Sequence, residues 1–540
     1  QNSPQELSSG LAMLLRPASP SLEGDRAEGF EAQGAEEVQS DGLEERRKKR
    51  IVEFMSSKQV LPEIMRSIRP HQAFASCGAA LRLTEECRGH ACEVTESIQD
   101  FWSHAWLGNS WGKFLTLLVL YNGRAALCLA NGAALVGLAL FLRGALPGYS
   151  RGLEFTDFEG ARIAFSVWSL PFGAAGAAVG LVAWRAPRRV FFDRLCVDEA
   201  DRRLQFEAIV SLPGILQRSD SLLVLWDPIW PSRLWCIFEL AAFLSLNKGP
   251  PRVFPTMMGP CSLGAFFLGV CAMAPLTLVP VAGFNYILVA ACTIGAAAAS
   301  ACPAVSVLRA YYRAVEDMEK KLRTLRIIDT SCACCSRGHV KADGTPMLCD
   351  KVTICACITQ WFGSIEAFEE YVQTDVTDVL VHQLQWCTFR YAWSCALGMP
   401  AFWACLDVAS IPYQHGDVNH VVAWLSYGLT CALLVFPCLG SWSKFFTHLF
   451  RHRGRSWLHE AMQTFLVILC TLPFAAYAVG AMMLPLTQMR LASPPAQWLA
   501  FPCLMLPLLL LQCCVPKRPD LRLRAGSQPA SQAPKEEVAV

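Results

Sequence analysis

Apolar residues run through this chain in long blocks, not in alternation with polar ones. The blocks lie at 125–142, 163–184, roughly 262–282, 285–305, 391–412, 420–440, 462–484 and 497–515. Each is close to the ~20 residues that cross a ~30 Å hydrocarbon layer as a helix. They lack the two-residue alternation of barrel strands, and a helix satisfies its own backbone in lipid. The pattern predicts an α-helical polytopic membrane protein with about eight transmembrane helices, in hairpins at 125–184, 262–305, 391–440 and 462–515. The 262–305 pair is the least separated, joined only around Gly283-Phe284.

The polar remainder falls into distinct segments. Residues 1–41 are rich in Ser, Pro, Gly, Glu and Gln and predict a disordered tail, as do 516–540. Residues 42–99 form a helical and loop segment that starts with the charged run Glu44 to Arg50. A Cys/His-rich and helical segment fills 306–390, and a basic loop fills 441–461. The first ~60 residues lack the apolar core of a secretory signal peptide, so a later internal helix is expected to direct insertion.

Charge orients the hairpins. Arg185, Arg188, Arg189, Arg309, Arg313, Lys320, Lys321, Lys444, Arg451, Arg453 and Lys517 fall on one side of an eight-crossing arrangement. The opposite loop from Tyr413 to Asn419 has neither Lys nor Arg, although the 143–162 loop departs from the pattern with Arg143, Arg151 and Arg162. The positive-inside bias places both termini and the large polar segments in the cytosol.

Composition agrees with the blocks. The chain of 540 residues is 53% hydrophobic and only 17% charged, against about 25% charged in soluble chains. Its formal net charge of +2 gives no pull toward nucleic acid, so the lipid bilayer is the first expected partner. The 25 cysteines, many inside apolar blocks, read as small buried apolar residues and mostly free thiols.

Two polar stretches flank the first hairpin and carry strand-then-helix patterning. Before it stands Asp100-Phe101-Trp102-Ser103-His104-Ala105-Trp106, and after it Val190-Phe191-Phe192-Asp193. A helical stretch near 199–217, the apolar run Ser221 to Trp226 and the segment Ser232-Arg233-Leu234-Trp235-Cys236-Ile237-Phe238-Glu239-Leu240 follow. Short runs apolar on both faces, followed by helices, suit a parallel α/β sheet. The 232–240 segment resembles the Ser-x-x-Trp-Cys-x-x-Glu-Leu segment of plant-type TIR (Toll/interleukin-1 receptor) domains. The 101–106 stretch resembles that family's first strand, and Val190 to Asp193 its second. The whole chain also resembles a group of uncharacterised multi-pass membrane proteins of dinoflagellate algae, which share the Ser-His-x-Trp, Trp-Cys-x-x-Glu-Leu and Trp-Phe-Gly-Ser (Trp361 to Ser364) elements.

The resemblance implies a small cytosolic α/β TIR-like unit, with its first strand and helix at 100–124 and its remainder at 190–256, interrupted by the first transmembrane hairpin. It implies a signalling or scaffold role with homotypic or other protein partners. Some TIR domains cleave NAD with a glutamate in this segment. That makes Glu239, with Trp235 and Ser232 toward one helix face, the candidate catalytic set and NAD the candidate substrate. The family's last strand and helix have little room before the third apolar block.

Two further constellations stand apart. Cys332, Cys334, Cys335, His339 and Cys349 could hold a tetrahedral zinc, although Cys-x-Cys-Cys is not a standard finger spacing. Asp407 is the one carboxylate inside an apolar block and Asn131 a mid-block amide. These two carry the alternative of a transporter or channel. Ser364 is placed to cap an amphipathic helix that continues through Phe368, Val372, Val376 and Leu380.

Overall fold

The computed structural model describes residues 45–46, 48–60, 62–82, 92–149, 164–198, 201–278, 286–340, 349–387, 391–454, 456–487, 499 and 502–503. The expected tails at 1–41 and 516–540, and nearly all of the 497–515 block, lie outside these residues.

Six strands are described: β1 (Arg66–Ser67), β2 (Glu93–Val94), β3 (Ile98–His104), β4 (Val190–Phe191), β5 (Ser219–Trp226) and β6 (Arg252–Pro255). The first two pair as a small antiparallel ribbon. The other four form a parallel sheet in the order β4-β3-β5-β6. Asp100 and Phe101 sit opposite Val190 and Phe191, so the stretches before and after the first apolar hairpin are neighbours in one sheet. Leu222 to Trp226 are buried throughout, which is why β5 carries apolar residues on both faces.

The helices used below are α1 (Ser110–Leu142), α2 (Ser169–Ala183), α3 (Arg202–Val210), α4 (Leu212–Gln217), α5 (Leu234–Leu244), α6 (Met258–Leu278), α7 (Tyr286–Arg323), α8 (Asp350–Phe362), α9 (Tyr391–Gln414), α10 (Val418–Leu449) and α11 (Trp457–Thr487). Helix α1 begins at Asn109, whose side chain accepts from Gly112 N at 3.0 Å. It runs unbroken for 33 residues. The helix after the first strand and the first apolar block, assigned to separate units at 124/125, are therefore one rod. Helical hydrogen bonds are internal, so no break is needed where polar surroundings give way to apolar ones. Helix α5 is apolar nearly all round and is packed into the core against β3, α4 and α8.

Among the described residues, α1, α6, α9, α10 and α11 are long and apolar enough to cross a membrane. Helix α2 has 15 residues, a rise of about 22 Å. Large apolar side chains point outward along these helices. Val182 is 80% exposed, Phe267 66% and Phe465 62%, an arrangement suited to lipid and unsuited to water. Inside, α1 and α2 meet along small residues. A Cβ on Gly180 would lie 2.5 Å from Ala126 Cα, and one on Gly176 2.9 Å from Leu129 O, the close approach of small-x-x-x-small packing.

Ion pairs and carbonyl contacts gather the polar segments at one end of the helices. Arg309 donates to the carbonyls of Phe450, His452 and Glu460. Arg313 pairs with Glu460, Arg451 with Glu316 and Arg323 with Asp378. Lys321 donates to Pro228 O at 2.7 Å, next to the end of β5.

One buried carboxylate ties the sheet together. Asp100, 1% exposed, accepts from Arg188 (3.1 Å), Arg252 (3.0 Å), Tyr121 (2.7 Å) and Ser221 (2.7 Å). It joins β5, β6, α1 and the residues leading into β4 through one group. Asp100→Ala is expected to destabilise the unit by roughly 3 kcal/mol, because four donors lose their acceptor. The two arginines are about half exposed and regain water, which limits the loss. Denaturant unfolding of the detergent-solubilised protein, followed by tryptophan fluorescence, measures it.

Candidate functional site

In parallel sheets the chemistry gathers beyond the carboxyl ends of the strands, where loops and helix starts converge. Here those ends supply Ser103 and His104 from β3, Asp193 just past β4 and Asp227 just past β5, with Glu239 descending from α5. His104 Nε2 lies 3.1 Å from Asp193 Oδ1, and Trp106 Nε1 donates to Asp193 Oδ2 at 2.9 Å. The Arg194 guanidinium lies over the Trp106 ring, 4.9 Å from its centroid. Lys113, buried at the start of α1, donates to Ala105 O. Asp227 Oδ1 accepts from Ile229 N and Trp230 N, both at 3.0 Å, and so fixes the turn into α5.

Two carboxyl groups at these strand ends, Asp193 and Glu239, are driven apart. Burial works against charge on Asp193, but the charge and hydrogen bond of His104 and the Arg194 N–H outweigh it and hold Asp193 below its usual range. Glu239 has no such partner. Burial pushes it up to about 8, against a weaker downward pull from the Ser103 hydroxyl, while the charge of Asp193 adds to the rise. Ser103 Oγ accepts from Trp230 Nε1 at 3.0 Å, which leaves the hydroxyl proton free to point at Glu239. The second Glu239 oxygen, Oε2, is buried with no hydrogen-bond partner. Two carboxyls whose environments separate their protonation are the arrangement used for acid and base roles.

The other members of the sequence-derived set face elsewhere. Ser232 Oγ donates to Ile229 O at 2.7 Å, and its carbonyl accepts from Ser331 N at 2.7 Å. The Trp235 indole faces Asp350 and packs edge-on against Phe238. Ser232 and Trp235 therefore face the 331–350 segment, while Glu239 turns toward the strand ends. Ser103, His104, Trp106 and Asp193 are legible in the sequence as parts of strand motifs, but neither they nor Asp227 are marked there as site residues. The available signal was their position, since each polar residue closes an otherwise apolar strand.

The second cluster lies on that 331–350 segment. Cys334 Sγ is 3.9 Å from Cys335 Sγ, and Cys335 Sγ is 3.7 Å from Cys349 Sγ. The ligand atoms of Cys334, Cys335, His339 and Cys349 all lie within 4.8 Å of one another. Cys332 sits to the side, 3.0 Å from Cys334 Sγ and donating to Asp350 Oδ2 at 3.5 Å. Among the residues whose side chains are described, every cysteine is a free thiol.

Asp407 has a structural occupation. Its oxygens accept from Ser166 Oγ (2.6 Å), Ser169 N (2.9 Å) and Leu170 N (3.3 Å). It thereby caps α2, whose own N-cap residue Trp168 makes no side-chain cap. Asn131 Oδ1 accepts from Trp403 Nε1 at 3.0 Å, joining α1 to α9. Both groups that carried the transport alternative thus hold helices together. No protein-family model, no curated protein and no solved structure matches this chain.

Proposed function

We propose that this is a multi-pass membrane protein with both termini in the cytosol that displays a split TIR-like unit there and acts as a signalling or scaffold protein through that unit's protein contacts. The observation that supports the reading is the parallel pairing of β3 with β4 across an inserted apolar hairpin. Two crossings return the chain to the compartment it left, so both halves of the sheet can meet. The gathering of 309–323, 378 and 450–460 beside the sheet supports the same wiring. Tags placed at residues 30 and 345 are expected to be reached from one and the same face of sealed vesicles. Access from opposite faces would overturn the arrangement.

One observation favours a second reading, NAD cleavage, for the same unit. Glu239 presents a buried oxygen without a partner at the strand ends. Breaking the ribose–nicotinamide bond develops positive charge on the sugar, which an ionised carboxylate stabilises. Glu239 loses its proton near pH 8, so nicotinamide release by the reconstituted protein is expected to rise as pH passes through that value. Glu239→Gln is expected to lower release by about 10²-fold or more. Absence of release from pH 7 to 9 leaves the signalling reading alone.

A further inference from the structure

We propose that Cys334, Cys335, His339 and Cys349 bind one zinc ion, and that the resulting knuckle clamps the start of the helix that carries Glu239.

The geometry fits the ion. A tetrahedral zinc with Zn–S near 2.3 Å separates its ligands by about 3.8 Å. The Cys334–Cys335 and Cys335–Cys349 sulfur distances are 3.9 and 3.7 Å. A disulfide would need sulfurs about 2.05 Å apart. The backbone is already wound around the centre. His339 N and Gly338 N donate to the carbonyls of Cys334 and Cys335 at 3.0 and 3.1 Å. Gly338 and His339 have φ of 65° and 61°, and a histidine in that left-handed region is held at a cost of about 1 kcal/mol or more. The turn has a use if it brings the imidazole back to the thiols. Asp350 N donates to Cys334 Sγ at 3.4 Å, the kind of backbone N–H that steadies a metal thiolate. His339 is exposed and Cys334 buried, so one side of the site is open for entry while the other is fixed. On binding, the three thiols release their protons to solvent and the neutral imidazole gives a lone pair, with no redox change.

The same segment caps α5. Ser331 O accepts from Leu234 N, the first amide of that helix, at 3.1 Å. Ser331 N and Oγ both donate to Ser232 O, at 2.7 and 2.9 Å. Trp235 faces Asp350, and Phe238 stacks on Trp361 of α8 with centroids 5.6 Å apart. Helix α5 has no side-chain N-cap of its own, so its orphan amides depend on a neighbour. Fixing Cys334 to Cys349 through a metal fixes that neighbour, whether or not Glu239 reacts with anything.

The full chain, purified in mild detergent and passed through gel filtration, is expected to carry about one zinc per chain by elemental analysis. Cys335→Ser with Cys349→Ser should reduce this at least tenfold, while Cys92→Ser with Cys355→Ser should leave it unchanged. Because the first pair of changes could unfold the chain, a second measurement uses wild-type protein. Stripping zinc with a chelator should speed amide hydrogen exchange in peptides covering 232–240 by tenfold or more and leave those covering 98–104 unchanged. Restoring zinc should reverse it. A chain that neither carries nor takes up zinc, or keeps it after the 335/349 change, overturns the metal site. Exchange in 232–240 that ignores zinc overturns the clamp.

Discussion

Gly259→Val is expected to prevent the chain from reaching a monodisperse folded state. Gly259 is the second residue of α6, where the chain leaves β6. A Cβ there would lie 2.2 Å from Thr116 N and 2.3 Å from Leu115 C, both backbone atoms of α1. No rotamer change relieves a clash with backbone, so α6 must back away by more than 1 Å, given carbon contacts near 3.5 Å. That movement breaks Gly259 N to Thr116 Oγ1 (2.9 Å) and strains Thr116 Oγ1 to Thr256 O (2.9 Å), both buried. Overpacking and the unsatisfied groups together cost roughly 3–5 kcal/mol, a large share of the stability of an ordinary domain. Gly264→Val is the control. It lies on the same helix, and a Cβ there meets nothing within 4 Å. Size-exclusion profiles and unfolding midpoints of the two variants should differ sharply. Equal behaviour would show that α6 does not pack on α1 in this register.

Wild-type protein is expected to lose stability as pH rises from about 5 to 8, and Glu239→Gln is expected to reduce that slope, with Asp350, raised by burial to about 6, adding to it only at the acid end. The sign follows from proton counting. The Glu239 carboxyl titrates at about 8 in the fold against an ordinary 4.5. Between those values the folded chain holds a proton that the unfolded chain has released, so raising pH favours unfolding. The stabilisation is fully present below 4.5 and is lost as pH passes through about 8. Its ceiling is on the order of 5 kcal/mol, at 1.36 kcal/mol per pKa unit. Asp193 acts in the opposite sense, since its folded value is depressed, and its contribution disappears only in acid. Glutamine keeps the shape and the hydrogen-bonding capacity toward Ser103 without the charge. Denaturant midpoints at pH 6 and pH 9 for both proteins provide the test. Parallel slopes in the two would mean that Glu239 is not the titrating group.

The extent to which the site could be read beforehand differs between its two halves. Cys332 to Cys349 lie within a short stretch, so local spacing was enough to nominate them. Which four ligand atoms converge depended on the left-handed turn at Gly338 and His339. Glu239 was reached through a nine-residue resemblance, and the same segment suggested Trp235 and Ser232 as companions. Its neighbours in space are instead Ser103 and Asp193. His104 and Asp193 are 89 residues apart, and no periodicity links positions so distant.

The sequence by itself determined the helices long enough for lipid, because a run of apolar residues excludes water over its whole length wherever it lies. It also determined the two-faced burial of Leu222 to Trp226, because side-chain type fixes the cost of exposure. The tertiary structure alone decided that α1 carries sheet packing into the apolar block without a break, that Asp407 caps a helix it is not part of, and that Glu239 faces an aspartate and a serine. Each of those is a meeting of segments remote along the chain, and such meetings are set by how whole surfaces fit.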